Sequence, residues 1–361
     1  MATLPSSEDV LFFIPDMGGF TKFVTETEVR HSQHIVKELL ELLVDANQLA
    51  LEVSEFEGDA VLFFRTGAPP SWADLLAQAK KMFLAFHTHL KQLEMLRICQ
   101  CGACAGASRI SLKFVVHLGP ASPMDVKGHL KFIGKSIIVA HRLLKNSVPA
   151  AEYLLVTQDT LDRLIDAPAG APPLECGSSS YDDIGEVAYR YLPMTSYLTQ
   201  VKVVAPQPFR IEHPHPVLKL SRNIDAAPLD VYQRLIDLPA RMQWIDGIQG
   251  LEFRDQDQNR LGTRHRCVRD SGSPEVVTSD VKIGPSAMEF WEVDVKKMSA
   301  LRYLVEPAPG DATLLTFEVY LRNNLALRWV FQWFIRKKLE QFLRASIDNL
   351  ARVLEGTRSV A

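Results

Sequence analysis

The stretch FFIPDMGGFTKF, residues 12–23, sets a single carboxylate, Asp16, between an apolar run and two glycines. Val10 to Pro15 reads as a short buried strand that Gly18-Gly19 break. Thr21 then caps a helix expected to run to about Ala50, with Val36, Leu39, Leu40, Leu43 and Leu51 at helical spacing. A strand that ends on a carboxylate and turns through glycines can hold a metal and a phosphate. It can equally be a strand end followed by a turn, with Asp16 capping the helix.

Working outward, LEVSEFEGDAVLFF (51–64) reads as a hairpin around Glu57-Gly58-Asp59. Trp72 to Arg97 is a second amphipathic helix, ISLKFVVHLGP (110–120) a strong strand, and FIGKSIIVAHRLLKNS (132–147) turns helical after Gly134. AEYLLVT (151–157) is a further strand and Gln158 to Ile165 a short helix. That order implies an α+β sandwich with helices packed on one sheet. In it, Asp16 and Asp59 each end a β-run beside glycine and can meet at one sheet edge. Two close carboxylates repel unless a cation joins them, and oxygen donors suit Mg²⁺ or Mn²⁺. The backbone N–H groups of Met17, Gly18, Gly19, Phe20 and Thr21 would receive a phosphate. The other reading leaves Asp59 as a hairpin-turn residue.

At 361 residues the chain is expected to form two domains, and its 47% hydrophobic and 23% charged content is that of a globular protein. A net charge of −3 gives no bulk basic field, so nucleic acid is not an expected partner. The start has no basic segment followed by an apolar one, and no apolar run reaches about 18 residues, so neither signal peptide nor membrane span is read. Five cysteines, three of them crowded together, do not read as a secreted disulfide framework, and the expected compartment is the cytoplasm. A Pro-rich, weakly periodic stretch suggests a linker at 193–211, between domains at 8–192 and 212–356.

Four motifs in order carry a resemblance over residues 8–192. FIPDMGGFTKF (13–23), FEGDAVLFF (56–64), VVHLGP (115–120) and FIGKSIIVAHRL (132–143) resemble the successive motifs of class III adenylate and guanylate cyclases. The chain also resembles a divergent bacterial family with such a front half. The resemblance implies a ferredoxin-like sheet, a nucleoside triphosphate, and two Mg²⁺ or Mn²⁺ ions held by Asp16 and Asp59. It places Arg142 where a transition-state charge is neutralised, and implies a homodimer. Glu55 and Lys131 fall at the base-reading positions; Glu55 points to guanine, whereas Lys131 fits neither standard pattern. Ile138 replaces the ribose-orienting Asn. The resemblance thus implies a nucleotidyl cyclase (a phosphorus–oxygen lyase), or a nucleotide-binding scaffold without turnover.

CQCGACAG (99–106) places Cys99, Cys101 and Cys104 together, a partial Zn²⁺ set lacking one ligand that His87, His89, His117 or a partner chain would supply. The alternative is a loop of reduced thiols. Cys176 and Cys267 read as incidental. Beyond the linker, a strand, a short helix, alternating runs from GLEFRDQ (250–256) to ATLLTFEVYLR (312–322), and a helix from Leu325 to Glu355 follow. This half is similar to the START-like, polyketide-cyclase (SRPBCC) superfamily. The resemblance implies a helix-grip fold with an apolar cavity for a lipid, a polyketide or another hydrophobic small molecule. Candidate pocket residues are Phe253, Phe290, Tyr303, Phe317, Phe342 and Ile347, with core packing as the other reading for each. His265 and Asp280 stand isolated in the sequence, so binding rather than catalysis is expected here. LRWVFQWFIRKK (327–338), apolar then basic, is expected to be buried, with peripheral membrane contact as the other reading.

Overall fold

Val10 to Ile14 are all buried, which requires a central strand paired on both edges and covered on both faces. The computed structural model describes residues 8–25, 27, 29–164, 173–253, 258–270 and 272–358. Ile165 and the end of the 250–256 run, residues 254–256, lie outside them. Two units result: Met1–Glu94 with Cys101–Val203, and Met95–Gln100 with Val204–Ala361. The division after Val203 falls inside the stretch read as a linker. The grouping of Met95–Gln100 with the second unit has no signal in the sequence pattern.

The first unit runs β1 (Glu8–Gly18), α1 (Phe20–Thr25), α2 (Val29–Asp45), β2 (Glu52–Glu57), β3 (Ala60–Thr66) and α3 (Trp72–Leu96). It continues with α4 (Gly102–Gly106), β4 (Ser111–Val126), β5 (His129–Ile133), α5 (Lys135–Arg142), β6 (Tyr153–Thr157), α6 (Gln158–Leu161), β7 (Glu175–Tyr181) and β8 (Gly185–Pro193). Its sheet has the order β2-β3-β1-β4-β6-β8-β7, with β5 paired to β4. All pairings are antiparallel except β4 with β6.

The expected helix from Thr21 to Ala50 is instead two helices ending at Asp45. The hydroxyls of Thr25 and Thr27 donate to the carbonyls of Thr21 and Phe23, competing with helix continuation. Beyond Asp45, the Asn47 side chain accepts from the amides of Leu49 and Leu51, an Asx turn that closes the helix. The strands β5, β7 and β8 are not among the elements expected from the sequence.

The second unit runs β9 (Pro214–Ile224), α7 (Pro228–Ile236), β10 (Gly250–Phe253), β11 (Arg264–Val268), β12 (Val276–Ile283), β13 (Met288–Asp294), β14 (Ser299–Ala308) and β15 (Ala312–Arg322). A continuous helical stretch closes it: α8 (Leu325–Val330), a π-turn (Phe331–Ile335) and α9 (Arg336–Arg358). Its antiparallel sheet has the order β10-β11-β12-β13-β14-β15-β9, so the first strand pairs with the last. Both units are thus α+β, the first a mixed sheet with helices and the second an antiparallel sheet with a long C-terminal helix. The apolar–basic stretch 327–338 is not buried as expected: Trp329, Trp333 and Phe334 are 60%, 71% and 67% exposed. Among the described residues, no helix is long and apolar enough to cross a membrane.

Candidate functional site

Between the sheet of the second unit and its final helix lies a cavity of about 350 Å³. Its helical wall is Leu327, Phe331, Ile335, Leu339, Phe342 and Leu343; Val319 and Leu321 of β15 lie on the sheet side. Arg241, from a tight turn at Pro239–Gln243, joins His265 of β11, Glu292 of β13 and Tyr303 of β14 on the same lining. All four are buried. Arg241 Nη1 lies 3.0 Å from His265 Nε2, Arg241 Nη2 donates to Glu292 Oε1, and the Tyr303 hydroxyl donates to Glu292 Oε2 at 2.8 Å.

His265 Nε2 also lies 3.1 Å from Glu292 Oε1. Burial alone would raise the Glu292 carboxyl, but the charges of Arg241 and His265 outweigh it and hold it well below the usual carboxylate range. Burial, reinforced by Glu292, pushes the Tyr303 phenol well above its usual range. The guanidinium only donates and the ionised carboxylate only accepts, so a neutral His265 serves one of them through Nε2 and takes the opposite role at Nδ1, whereas a protonated ring donates from both nitrogens. Among the described residues, that Nδ1 has no hydrogen-bond partner. A buried ion pair adds little stability over an apolar substitute. A small polar cluster on an otherwise apolar lining fits a site for a ligand with one polar group.

Of the residues read from the sequence, Tyr303 and Phe342 line this cavity. Phe290 stacks on the Tyr303 ring at 4.4 Å and Phe317 meets it edge-on at 4.8 Å. Ile347 is core, and Phe253 borders a separate cleft with Arg264, Arg266 and Glu275. His265, set aside as isolated, is the residue that sequence reasoning missed, together with Arg241 and Glu292. They sit on three elements whose convergence depends on sheet pairing, and no local spacing signals it.

In the first unit, Asp16 stands opposite Ala60 on one side and Lys113 on the other. The Met17 amide donates to the Asp59 carbonyl at 3.1 Å, bringing the hairpin turn against the end of β1. That amide is therefore engaged, and the turn continues through Gly19 at a φ of 81°, a conformation glycine favours. A Cβ at Gly18 would come within 2.3 Å of Ser111 Oγ, so a side chain there would make the Ser111 hydroxyl turn away. Burial raises the Asp16 carboxyl; Lys113 counters it from 2.9 Å, while Asp59 and Glu57 add to the rise. Burial likewise raises Asp59, opposed by a backbone hydrogen bond and by Lys113. Asp59 thus acts on Asp16 electrostatically, and Lys113 is a cation of the protein's own beside Asp16.

Arg142 of α5 is paired with Asp183 at 2.7 Å, on the surface. Glu55 and Lys131 form an ion pair with each other. Ile138 is exposed. His87 pairs with Glu152 at 2.7 Å, His89 with Glu38 at 3.2 Å and His117 with Thr157 at 2.9 Å, so the histidines expected near the cysteines are engaged elsewhere. Burial holds His117 down to about 4. The histidine that does reach Cys101 and Cys104 is His31 of α2.

Residues 215–355 match the family described as polyketide cyclase / dehydrase and lipid transport, and residues 36–153 match a protein of unknown function (DUF2652). An uncharacterized protein of Mycobacterium tuberculosis (strain ATCC 25618 / H37Rv) is 30% identical over 161 residues, 44% of this chain and 73% of that protein. Among solved structures, the catalytic core of a rhodopsin-guanylyl cyclase with converted specificity, in complex with ATPalphaS, is 20% identical. It matches 52% of this chain and 96% of that chain at a TM-score of 0.38. The adenylyl cyclase CyaB from P. aeruginosa is 16% identical, over 52% of this chain and 94% of that chain, at a TM-score of 0.34.

Proposed function

We propose that this chain, which belongs to the family of the Mycobacterium tuberculosis protein, binds a hydrophobic small molecule with one polar group in the cavity of its second unit. The observation that carries this reading is an apolar space of about 350 Å³ whose lining includes the hydrogen-bonded polar cluster of Arg241, His265, Glu292 and Tyr303. That volume lies within the ~300–1,000 Å³ of small-molecule sites. Apolar walls supply affinity in proportion to the surface they cover. The Arg241–Glu292–Tyr303 network fixes the His265 ring and hence the orientation of the polar group. The lipid-transport description of the matching family supports a lipid or polyketide-like ligand.

Native mass spectrometry of the full chain tests it. The expected result is a co-purified apolar ligand or, after its extraction, saturable binding of a fluorescent fatty-acyl probe. Leu339→Trp, which fills the cavity, is expected to abolish probe binding with the fold retained. Absence of both ligand and probe binding would overturn the reading.

A second reading rests on the Asp16–Asp59 arrangement: the first unit binds a nucleoside triphosphate with Mg²⁺ or Mn²⁺, in a homodimer. A bound divalent ion would brace the triphosphate and help activate a ribose hydroxyl for attack on phosphorus. Asp16 and Asp59 would hold the cation and Gly18 to Thr21 would face the phosphates. Arg142 would leave Asp183 to meet developing charge, and Glu55 and Lys131 would exchange their mutual ion pair for the base. With base readers paired to each other and Ile138 at the ribose position, the residues support binding better than turnover. Turnover by the wild-type chain with any of the common nucleoside triphosphates and Mn²⁺, lost in Asp59→Ala, would establish the enzyme.

A further inference from the structure

We propose that His31, Cys101 and Cys104, with Cys99 as the fourth donor, form a structural zinc site that ties α2 to α4 and the residues just before it. His31 Nδ1 lies 3.2 Å from Cys101 Sγ and 3.5 Å from Cys104 Sγ. The four donor atoms all lie within 4.8 Å of one another. A tetrahedral zinc ion, about 2.3 Å from sulfur and about 2.0–2.1 Å from nitrogen, sets those donors about 3.6 Å apart, so both measured spacings fall within about 0.4 Å of it.

The chemistry agrees with the spacing. All three cysteines are free of disulfides. The Cys104 amide donates to Cys101 Sγ at 3.4 Å, a contact that favours the thiolate a metal requires. Three sulfurs and one imidazole select zinc over the hard cations that Asp16 and Asp59 suit. A full set of four protein donors leaves no open coordination position, which makes the site structural rather than catalytic. Cys99 and Cys101 are buried and the other two donors half-buried, so the ion would be shielded yet reachable. His31 stands about seventy positions upstream of the cysteines, too far for any contiguous zinc motif to include it.

The test uses the untagged full chain, purified under reducing conditions without added metal. Elemental analysis is expected to give one zinc ion per chain. Exchange with Co²⁺ is expected to produce the visible d–d bands of a tetrahedral centre and thiolate-to-cobalt charge transfer in the near ultraviolet. His31→Ala and Cys104→Ser should each lose the zinc, whereas Cys176→Ser, at an exposed cysteine far along the chain, should keep it. The cobalt spectrum of the wild-type chain carries the test even if the variants fail to fold. Protein free of zinc that also gives no tetrahedral cobalt spectrum would overturn the proposal. So would a thiol count showing a disulfide among the three cysteines, or the chromophore of an iron–sulfur cluster.

Discussion

Lys113 faces Asp16 across the pairing of β1 with β4, and its ammonium supplies part of the charge that a metal ion would bring. Burial nevertheless raises both Asp16 and Asp59. A carboxyl whose folded-state pKa lies above its unfolded value contributes stability below the unfolded value and loses it as pH rises through the folded one. Once ionised, the two carboxylates therefore weigh against the fold, and a bound cation would offset that cost. Mn²⁺ is accordingly expected to raise the melting temperature at about pH 8 and to have little effect at about pH 4, where protons compete for raised carboxyls. Lys113→Met, which removes the competing ammonium, should enlarge the Mn²⁺ effect, and Asp59→Asn should abolish it. Thermal scans in which Mn²⁺ changes nothing in either wild type or Lys113→Met would remove the metal reading. The strand ends near Asp16 and Asp59 were legible in the sequence because glycine punctuation marks them. Lys113 was not, because strand register is set by tertiary pairing. His265 was hidden for the same reason: its partners Arg241 and Glu292 lie on a separate turn and strand.

The final helix shows what periodicity conveys and what it leaves out. Its cavity-facing residues Leu327, Phe331, Ile335 and Leu339 recur every four positions. On an α-helix of 3.6 residues per turn each such step drifts by about 40°. The π-turn at Phe331–Ile335 takes an extra residue per turn and absorbs that drift, keeping the row on the cavity. The same turn leaves Trp329, Trp333 and Phe334 outward, followed directly by Arg336, Lys337 and Lys338. The helix and its length were readable from spacing, whereas the wide turn, and with it the outward face, was not. An exposed aromatic face beside cations matches an anionic membrane surface, and on the proposed reading of the cavity as a hydrophobic-ligand site its nearness to the cavity wall would serve loading from that surface. Vesicles containing phosphatidylglycerol are expected to sediment the wild-type chain and vesicles of phosphatidylcholine alone are not. The pair Trp333→Ala with Phe334→Ala should weaken sedimentation about tenfold, and salt should weaken it further by screening. Equal binding to both vesicle types, or none to either, would rule out the electrostatic part of this reading.

At the scale of the whole molecule, the division of the chain is not a single cut. Composition marks the linker near Val203, but the segment Met95–Gln100 groups with the second unit. Two hydrogen bonds account for this: the Leu261 amide donates to the Leu96 carbonyl at 2.9 Å, and the buried Tyr232 hydroxyl donates to the Ile98 carbonyl at 3.0 Å. Burial pushes the Tyr232 phenol well above its usual range, so the group stays a neutral donor at any ordinary pH. A fragment beginning at Val204 lacks both acceptors and leaves the Tyr232 hydroxyl unsatisfied in the core. An orphaned buried polar group costs roughly 1–3 kcal/mol, whereas removing both partners of such a bond is nearly neutral. Tyr232→Phe is therefore expected to destabilise the full chain by about 1 kcal/mol. In the fragment the same substitution should leave stability unchanged or raise it. Urea unfolding of the four proteins, followed by tryptophan fluorescence, reads the difference. If Tyr232→Phe costs the same in both backgrounds, the segment does not belong to the second unit, and the chain divides at its linker alone.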